Sequence, residues 1–407
     1  MDQTISDYFS KAPYRFDNED WIAYCEKKKL ALSFPAIHVA GSNGKSSVCA
    51  MLESVYLASG YRVGALYDLN IAPLGKGIRM NGKSIEESDF CGIFEENKKD
   101  FSKFSLSSYE MQIAIAYRYF QVAKPDLVII ESSFGGSFDA TNIDEMNPVL
   151  CIVTSSSLAH TNLLGTTTSE IAVNHAGILK AGCPLLIGKL DENSTAALTD
   201  YAKKNGSKLS IVDDYHFAHL VGPNYHFDFA PYHDLALSSR AVTFLPDAAI
   251  ALEAVKIMAS GFPVDETAIR AGLLDFSLPC RAEKAGDVVF DSASNPDALK
   301  ALLSGIGPLT YARPLHVLFA ADREANIASM LAILGNASST INLTTYDSPS
   351  ARVEDDYFLY ASDYPFIEDP FAALAKMKAA YGEEGFLVVG NERFVSKMRE
   401  ALCEEQN

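Results

Sequence analysis

Lys45 and the residues around it are the first place in the chain where chemistry could be done. The stretch His38-Val-Ala-Gly-Ser-Asn-Gly-Lys-Ser-Ser47 sets two glycines, a lysine and two hydroxyls directly after an apolar run, Phe34-Pro35-Ala36-Ile37. That run reads as the start of a short buried strand. Beyond the lysine, Val48, Met51, Leu52, Val55 and Ala58 recur at helical spacing until Gly60. Strand, glycine turn and helix together aim free backbone N–H groups and the positive end of a helix dipole at a phosphate. Lys45 would reach the terminal phosphates of ATP, and Ser46 or Ser47 could touch a magnesium ion or a phosphate oxygen. The expected nucleotide-binding set is therefore Gly41, Ser42, Asn43, Gly44, Lys45, Ser46 and Ser47. Its glycines enclose two residues where the common phosphate loop encloses four.

Two further reactive side chains stand where buried runs end. Leu127-Val128-Ile129-Ile130 is continuously apolar, as a parallel strand covered on both faces must be, and it ends at Glu131. Val149 to Val153 is a second such run, followed by a polar loop that carries His160. With a short strand at 62–66 and Pro184 to Ile187, these runs alternate with helical patterns at about 85–98, 108–122 and 167–180. Residues 67–82 read as a loop broken by Gly and Pro and ending in an Asn81-Gly82 turn. The alternation predicts an α/β fold with a doubly wound parallel sheet, whose ligands gather at strand C-terminal ends. Lys45, Glu131 and His160 all follow such ends.

A second α/β pattern follows Ser277-Leu278-Pro279: strand 287–291, helix 296–304, strand 315–320, helix 325–334, strand 339–345, a helix near 370–380 and strand 386–389. We therefore expect an N-terminal phosphate-loop domain over 1–278 and a smaller Rossmann-like domain over 279–407. Between helix 167–180 and helix 245–260 the chain changes character, with four histidines at 216, 219, 226 and 233. Their spacing lacks cysteine or regular carboxylate partners, so small antiparallel strands attached to the first domain are the expectation there.

A chain of 407 residues exceeds one ordinary core. Its net charge of −18 argues against nucleic acid or an anionic membrane as partner. Seven scattered cysteines without a C-x-x-C pair fit reduced thiols in the cytoplasm. Neither a signal peptide nor a membrane-spanning apolar stretch is visible.

The motifs in their order resemble the folylpolyglutamate synthase/dihydrofolate synthase family of the Mur ligases over nearly the whole chain. The matching stretches are 38–45, Ile78-Arg-Met-Asn-Gly-Lys83, Ser108-Tyr-Glu-Met-Gln-Ile-Ala-Ile-Ala116 and Glu131-Ser-Ser-Phe-Gly-Gly-Ser-Phe-Asp-Ala-Thr-Asn142. His160-Thr-Asn-Leu-Leu-Gly165, Ala176-Gly-Ile-Leu-Lys-Ala-Gly182, Pro279-Cys-Arg-Ala-Glu283, Asp291-Ser-Ala-Ser-Asn-Pro296 and Ala321-Asp-Arg-Glu324 continue the series.

The resemblance implies a monomeric ligase that uses ATP to phosphorylate a carboxylate and lets the amine of an amino acid displace the phosphate. Folate or a related acid and glutamate or another amino acid would be its substrates. It implies magnesium held by Glu131 and His160, and Arg281 and Asp291 meeting the nucleotide as the domains close. Lys45, His160, Arg281 and His175 are then the catalytic candidates. Four places depart from the family pattern. Asp68 stands for a serine that helps hold magnesium, in Asp68-Leu69-Asn70 where the family has Ser-Pro-His. His175 stands for a lysine that the family carbamylates, and Ser294 for a histidine. A Gln-x-x-Asn pair that grips the base is missing from 239–243. These departures leave open a Mur-type amide ligase with another acid or amine, or a nucleotide-binding paralogue without ligase turnover.

Overall fold

The structure is a computed structural model that describes residues 3–13, 18–69, 74–158, 161–307, 314–361, 363–382 and 384–404. The chain divides into two compact units. The first comprises Met1–Val221, His226–Ser238 and Phe244–Phe276, and the second Gly222–Tyr225, Ser239–Thr243 and Ser277–Asn407.

In the first unit the strands are β1 (Leu32–Ala40), β2 (Val63–Leu66), β3 (Ile78–Met80), β4 (Lys83–Ser84), β5 (Leu127–Glu131), β6 (Met146–Val153), β7 (Leu185–Ile187) and β8 (Leu209–Ile211). They form one sheet in the order β4-β3-β2-β5-β1-β6-β7-β8. β1 lies between β5 and β6 and is parallel to both, with His38 opposite Ile130 on one side and Cys151 on the other. This register puts the C-terminal ends of β1, β5 and β6 side by side. The loops that leave them, at 41, 132 and 154, meet at one edge of the sheet. β2, β5, β6 and β7 are buried along most or all of their length, as the unalternating apolar runs require.

The sequence reading of 67–82 as a loop misses a hairpin. β3 runs antiparallel to β2 and to β4, and Asn81 and Gly82 take positive φ values of 54° and 77° at its tip. That is the backbone an Asn-Gly turn favours between strands. The helix expected at 85–98 runs over Glu87–Lys103, because its buried stripe of Phe90, Phe94, Asn97 and Phe101 continues past the charged residues near Lys98. The helix expected over 167–180 is α-helical only over Thr168–His175. It gives way to a 3-10 turn, Ala176–Ile178, where Gly177 weakens it.

Strands β9 (His216–Val221), β10 (Asn224–Phe229) and β11 (Tyr232–Leu237) make a separate three-stranded sheet in the order β11-β10-β9. Two-residue connections join them, as antiparallel neighbours permit.

The second unit is a five-stranded sheet of β12 (Glu283–Ala285), β13 (Val288–Asp291), β14 (Leu315–Ala320), β15 (Thr340–Leu343) and β16 (Gly385–Gly390), in the order β12-β13-β16-β14-β15. All neighbours are parallel except β12 and β13. The fold class read from the sequence, a parallel α/β sheet domain plus a smaller α/β domain, is the one observed. β12 and a helix at Glu354–Ala361, whose first turn holds three acidic residues, escaped the sequence reading. Neither shows the apolar periodicity on which that reading depends.

Candidate active site

The loop after β1 is shaped by its glycines. Gly41 has φ 141° and Gly44 φ 84°. A Cβ on Gly41 would lie 2.1 Å from Thr154 Oγ1, and one on Gly44 2.3 Å from Asp247 Oδ1. No other residue fits such a backbone at such separations.

The loop is lashed to the segment leaving β6. Ser42 N donates to Ser155 O at 3.1 Å, and Asn43 N donates to Ser155 Oγ at 2.8 Å. Asn43 O accepts from Thr154 Oγ1 at 2.6 Å and from Ser155 Oγ at 3.0 Å. Ser42 Oγ accepts from Ser157 N at 3.0 Å. The amides of Ser42 and Asn43 are thus engaged, while the helix Lys45–Ala58 begins at Gly44 with no side-chain cap. Its first-turn N–H groups have no partner within the helix, so they are free to face an anion with the helix dipole behind them.

Glu131, at the end of β5, is the centre of the charged group. Its carboxylate accepts from Ser46 Oγ at 2.9 and 3.1 Å and from Asp68 N at 3.1 Å. Lys45 Nζ lies 4.0 Å from it. Asp68 takes φ 54°, a left-handed backbone for a non-glycine residue. It is held there by the neighbouring Tyr67, whose hydroxyl donates to buried Glu53 at 2.6 Å. Glu53 also takes Arg79 Nε at 2.9 Å, which ties the helix Lys45–Ala58 to the β3 hairpin. The Cys49 thiol, one turn into that helix, is pushed well up by burial first and then by Glu131 and Asp68, against Lys45. One thiol feeling all three charges shows how closely they converge.

Glu131, Ser46 and Asp68 are a hard-oxygen set of the kind magnesium takes together with phosphate and water. Among the described residues no cluster of three or more His, Cys, Asp or Glu is arranged to hold a metal by itself. His160 lies outside the described residues, as does Asn70.

His175 ends its helix buried, with Nε2 3.3 Å from Ser42 Oγ, so it is part of the floor of the phosphate loop. The stretch 131–142 wraps this corner around Asp139. That carboxylate accepts from the amides of Ser133, Phe134 and Thr141 at 2.9, 2.7 and 2.9 Å, and from Tyr109 OH at 3.1 Å.

Sequence reasoning missed Thr154, Ser155, Asp139 and Asp247. The first two were visible as the hydroxyl run Thr154-Ser-Ser-Ser157 after a buried strand. Asp139 stood inside the quoted stretch 131–142 without being singled out, and Asp247 carried no local signal.

In the second unit, Arg281 donates through Nη2 to Glu392 Oε1 at 3.1 Å and through Nη1 to Cys280 O at 3.2 Å. Its neighbours Cys280 and Ala282 have φ 56° and 49°. This strained segment is pinned by carboxylates: Cys280 N donates to Glu283 Oε2 at 2.9 Å, and Ala282 N to Asp291 Oδ2 at 2.7 Å. Asp291 Oδ1 also accepts from Ala293 N at 2.8 Å. Burial pushes the Asp291 carboxyl up to about 6, against the pull of Arg281 and of the two amides. Ser294 is exposed.

No family model matches the chain. It is 29% identical over 377 residues to the dihydrofolate synthase/folylpolyglutamate synthase of Escherichia coli, covering 89% of this chain and 86% of that one. It is 26% identical over 389 residues to the Bacillus subtilis protein of the same name, covering 90% of each. The structure of E. coli FolC in complex with DHPP and ADP superposes with a TM-score of 0.87 at 25% identity, over 99% of this chain and 98% of that one. Over most of its length the chain is similar to the dihydrofolate and folylpolyglutamate synthases. No helix among the described residues is long and apolar enough to cross a membrane.

Proposed function

We propose that the chain is an ATP-dependent ligase that joins glutamate to the carboxylate of a folate, releasing ADP and phosphate. One observation carries this reading: Glu131, Ser46 and Lys45 converge at the uncapped start of a helix, within 4.0 Å of one another where a pair is bonded or bridged. Phosphoryl transfer needs positioning and neutralisation of charge more than covalent help.

In this reading the first amides of the helix Lys45–Ala58 hold the phosphates, and Lys45 balances the charge that develops as the folate carboxylate attacks the γ-phosphorus. The acyl phosphate so formed is opened by the amine of glutamate, which forms the amide and expels phosphate. Glu131, Asp68 and Ser46 would hold magnesium, which neutralises phosphate charge when bound. Arg281 would offer its planar guanidinium to a phosphate or a substrate carboxylate. Asp291, which accepts from the amides of Ala282 and Ala293, would position the segment that presents Arg281. A cytoplasmic monomer is the setting we propose; the seven free cysteines support the compartment.

His175 supports a second reading, a related ligase or nucleotide-binding protein with altered chemistry. An imidazole cannot form the carbamate implied by the resemblance at this place, and its Nε2 is turned to Ser42. Phosphate release from ATP and magnesium, measured across pteroates, folates and amino acids with and without bicarbonate, separates the readings. The expected result is release that needs both a folate and glutamate and is indifferent to bicarbonate. Turnover with another acid or amine would make the chain a different amide ligase. Nucleotide binding without any release would make it a paralogue without ligase activity. A strong bicarbonate requirement would show that another lysine carries a carbamate.

A further inference from the structure

The three-stranded sheet β9–β11 holds four histidines that the ligase reading does not use. Two of them stand side by side across strands: the rings of His219 on β9 and His226 on β10 have centres 5.8 Å apart and planes 41° apart. Each has its Nδ1 already engaged. His219 Nδ1 is 2.8 Å from the carbonyl oxygen of Phe217, and His226 Nδ1 is 2.7 Å from Asp234 Oδ1. A carbonyl and a carboxylate oxygen only accept, so both Nδ1 atoms carry the proton, and the lone pair of each neutral ring is on Nε2. No described residue bonds either Nε2.

An imidazole oriented through Nδ1–H by a carbonyl or carboxylate is the form in which proteins present Nε2 to a metal. Two imidazoles on one tetrahedral zinc, with bonds of about 2.0–2.1 Å, hold their ring centres roughly 5 to 6 Å apart. The observed separation of the ring centres falls in that range. The carboxylates absent from the linear spacing of this segment are supplied across the sheet. Asp234 backs His226, and Asp228 holds His233 Nδ1 at 3.0 Å and the Asp234 amide at 2.8 Å.

We propose that His219 and His226 form a two-imidazole site for a divalent transition metal of the zinc class, with water completing the coordination. Nickel and copper, which also favour imidazole, would compete for it. Two protein ligands make an open and exchangeable site. Its effect would be mechanical: β9 is exposed along its whole length, and a metal shared with β10 would clamp it to the sheet.

The test uses the full chain, freed of metal with a chelator and then kept in excess magnesium so that the hard-oxygen set near Glu131 is not the site read out. Zinc is titrated by calorimetry, and the amide hydrogen exchange of Ala218 and Leu220 is followed with and without it. The expected result is one equivalent of zinc bound and slower exchange in β9. His219→Gln and His226→Gln should each weaken binding at least tenfold, and Asp234→Asn by roughly ten- to a hundredfold. His233→Gln, on the neighbouring pair, should change it less than twofold. Unchanged exchange in β6 would show that the variants fold. Binding that survives both His219→Gln and His226→Gln, or no binding at roughly millimolar zinc, would overturn the proposal.

Discussion

The phosphate loop of the first unit and the Cys280–Asp291 segment of the second solve a similar problem in opposite ways. Each sets a cation near a buried carboxylate: Lys45 by Glu131, and Arg281 by Asp291. In the loop, glycines supply the positive φ values, and the first helix amides are left for a ligand. In the second segment, Cys280 and Ala282 take left-handed backbones at a cost of roughly 1 kcal/mol or more each. Glu283 and Asp291 offset that cost by accepting their amides. In the proposed site one region would therefore meet an anion with its backbone, whereas the other would have only the Arg281 side chain to offer.

The largest expected effect tests the first half of that contrast. Lys45→Ala should lower turnover roughly a hundred- to a thousandfold by removing a charge placed against the phosphates, while thermal stability changes little. Unchanged turnover and ATP affinity would remove the loop from the chemistry altogether.

Gly41→Ala should act on the fold instead. The new methyl would lie 2.1 Å from Thr154 Oγ1 on a backbone of φ 141°, so about 3 kcal/mol of stability should go. Unfolding followed by the fluorescence of Trp21, the one tryptophan of the chain and buried in this unit, reads the loss. A variant as stable as the parent would mean that the loop relaxes freely and is not preorganised.

Asp291→Asn probes the second region through pH. Burial raises the carboxyl from 3.8 to about 6, so between those values the folded unit holds a proton that the unfolded chain has released. Stability from this group is present below about pH 4 and lost as pH rises through about 6. Replacing the carboxyl should flatten the fall of stability over that window by up to about 3 kcal/mol. Hydrogen exchange of the Phe290 and Val388 amides, paired between β13 and β16, isolates the second unit. Parallel pH profiles for parent and variant would show that Asp291 is more hydrated than its burial implies.

The sheets and the phosphate loop were legible in the sequence because buried parallel strands are uniformly apolar and glycines mark forced backbone. Lys45 and Glu131 could be named from strand ends, and Asp68 from the place where the resemblance implies a magnesium-holding serine. What holds them was not legible. Asn43 and Ser155 are 112 residues apart, and Ser42 and His175 are 133 apart, with nothing in either local pattern to announce the pairing. Asp291 was named only through the resemblance, as a residue that meets the nucleotide. Its bond to Ala282 appears only once β12 folds back on β13. The same limit hid the backing of His226 by Asp234, since the two meet across a sheet and not along a helix.

The smallest expected effect decides how Arg281 is held. Its bond to Glu392 joins two side chains that are each about a quarter exposed, at 24% and 23%, and such pairs contribute roughly 0–1 kcal/mol. Glu392→Gln keeps an acceptor oxygen at the same place and removes the charge. If the pinned backbone at Cys280 and Ala282 positions the guanidinium, unfolding free energy should move by less than about 1 kcal/mol. The KM for ATP should then change less than threefold. Removing the carboxylate also removes a competitor for the guanidinium, so any change in KM should be downward and should fade as salt is added. A tenfold rise in KM at unchanged stability would show the reverse, that the carboxylate and not the strained segment sets the direction of Arg281. The two regions would then be alike, each aiming its cation through a side-chain carboxylate.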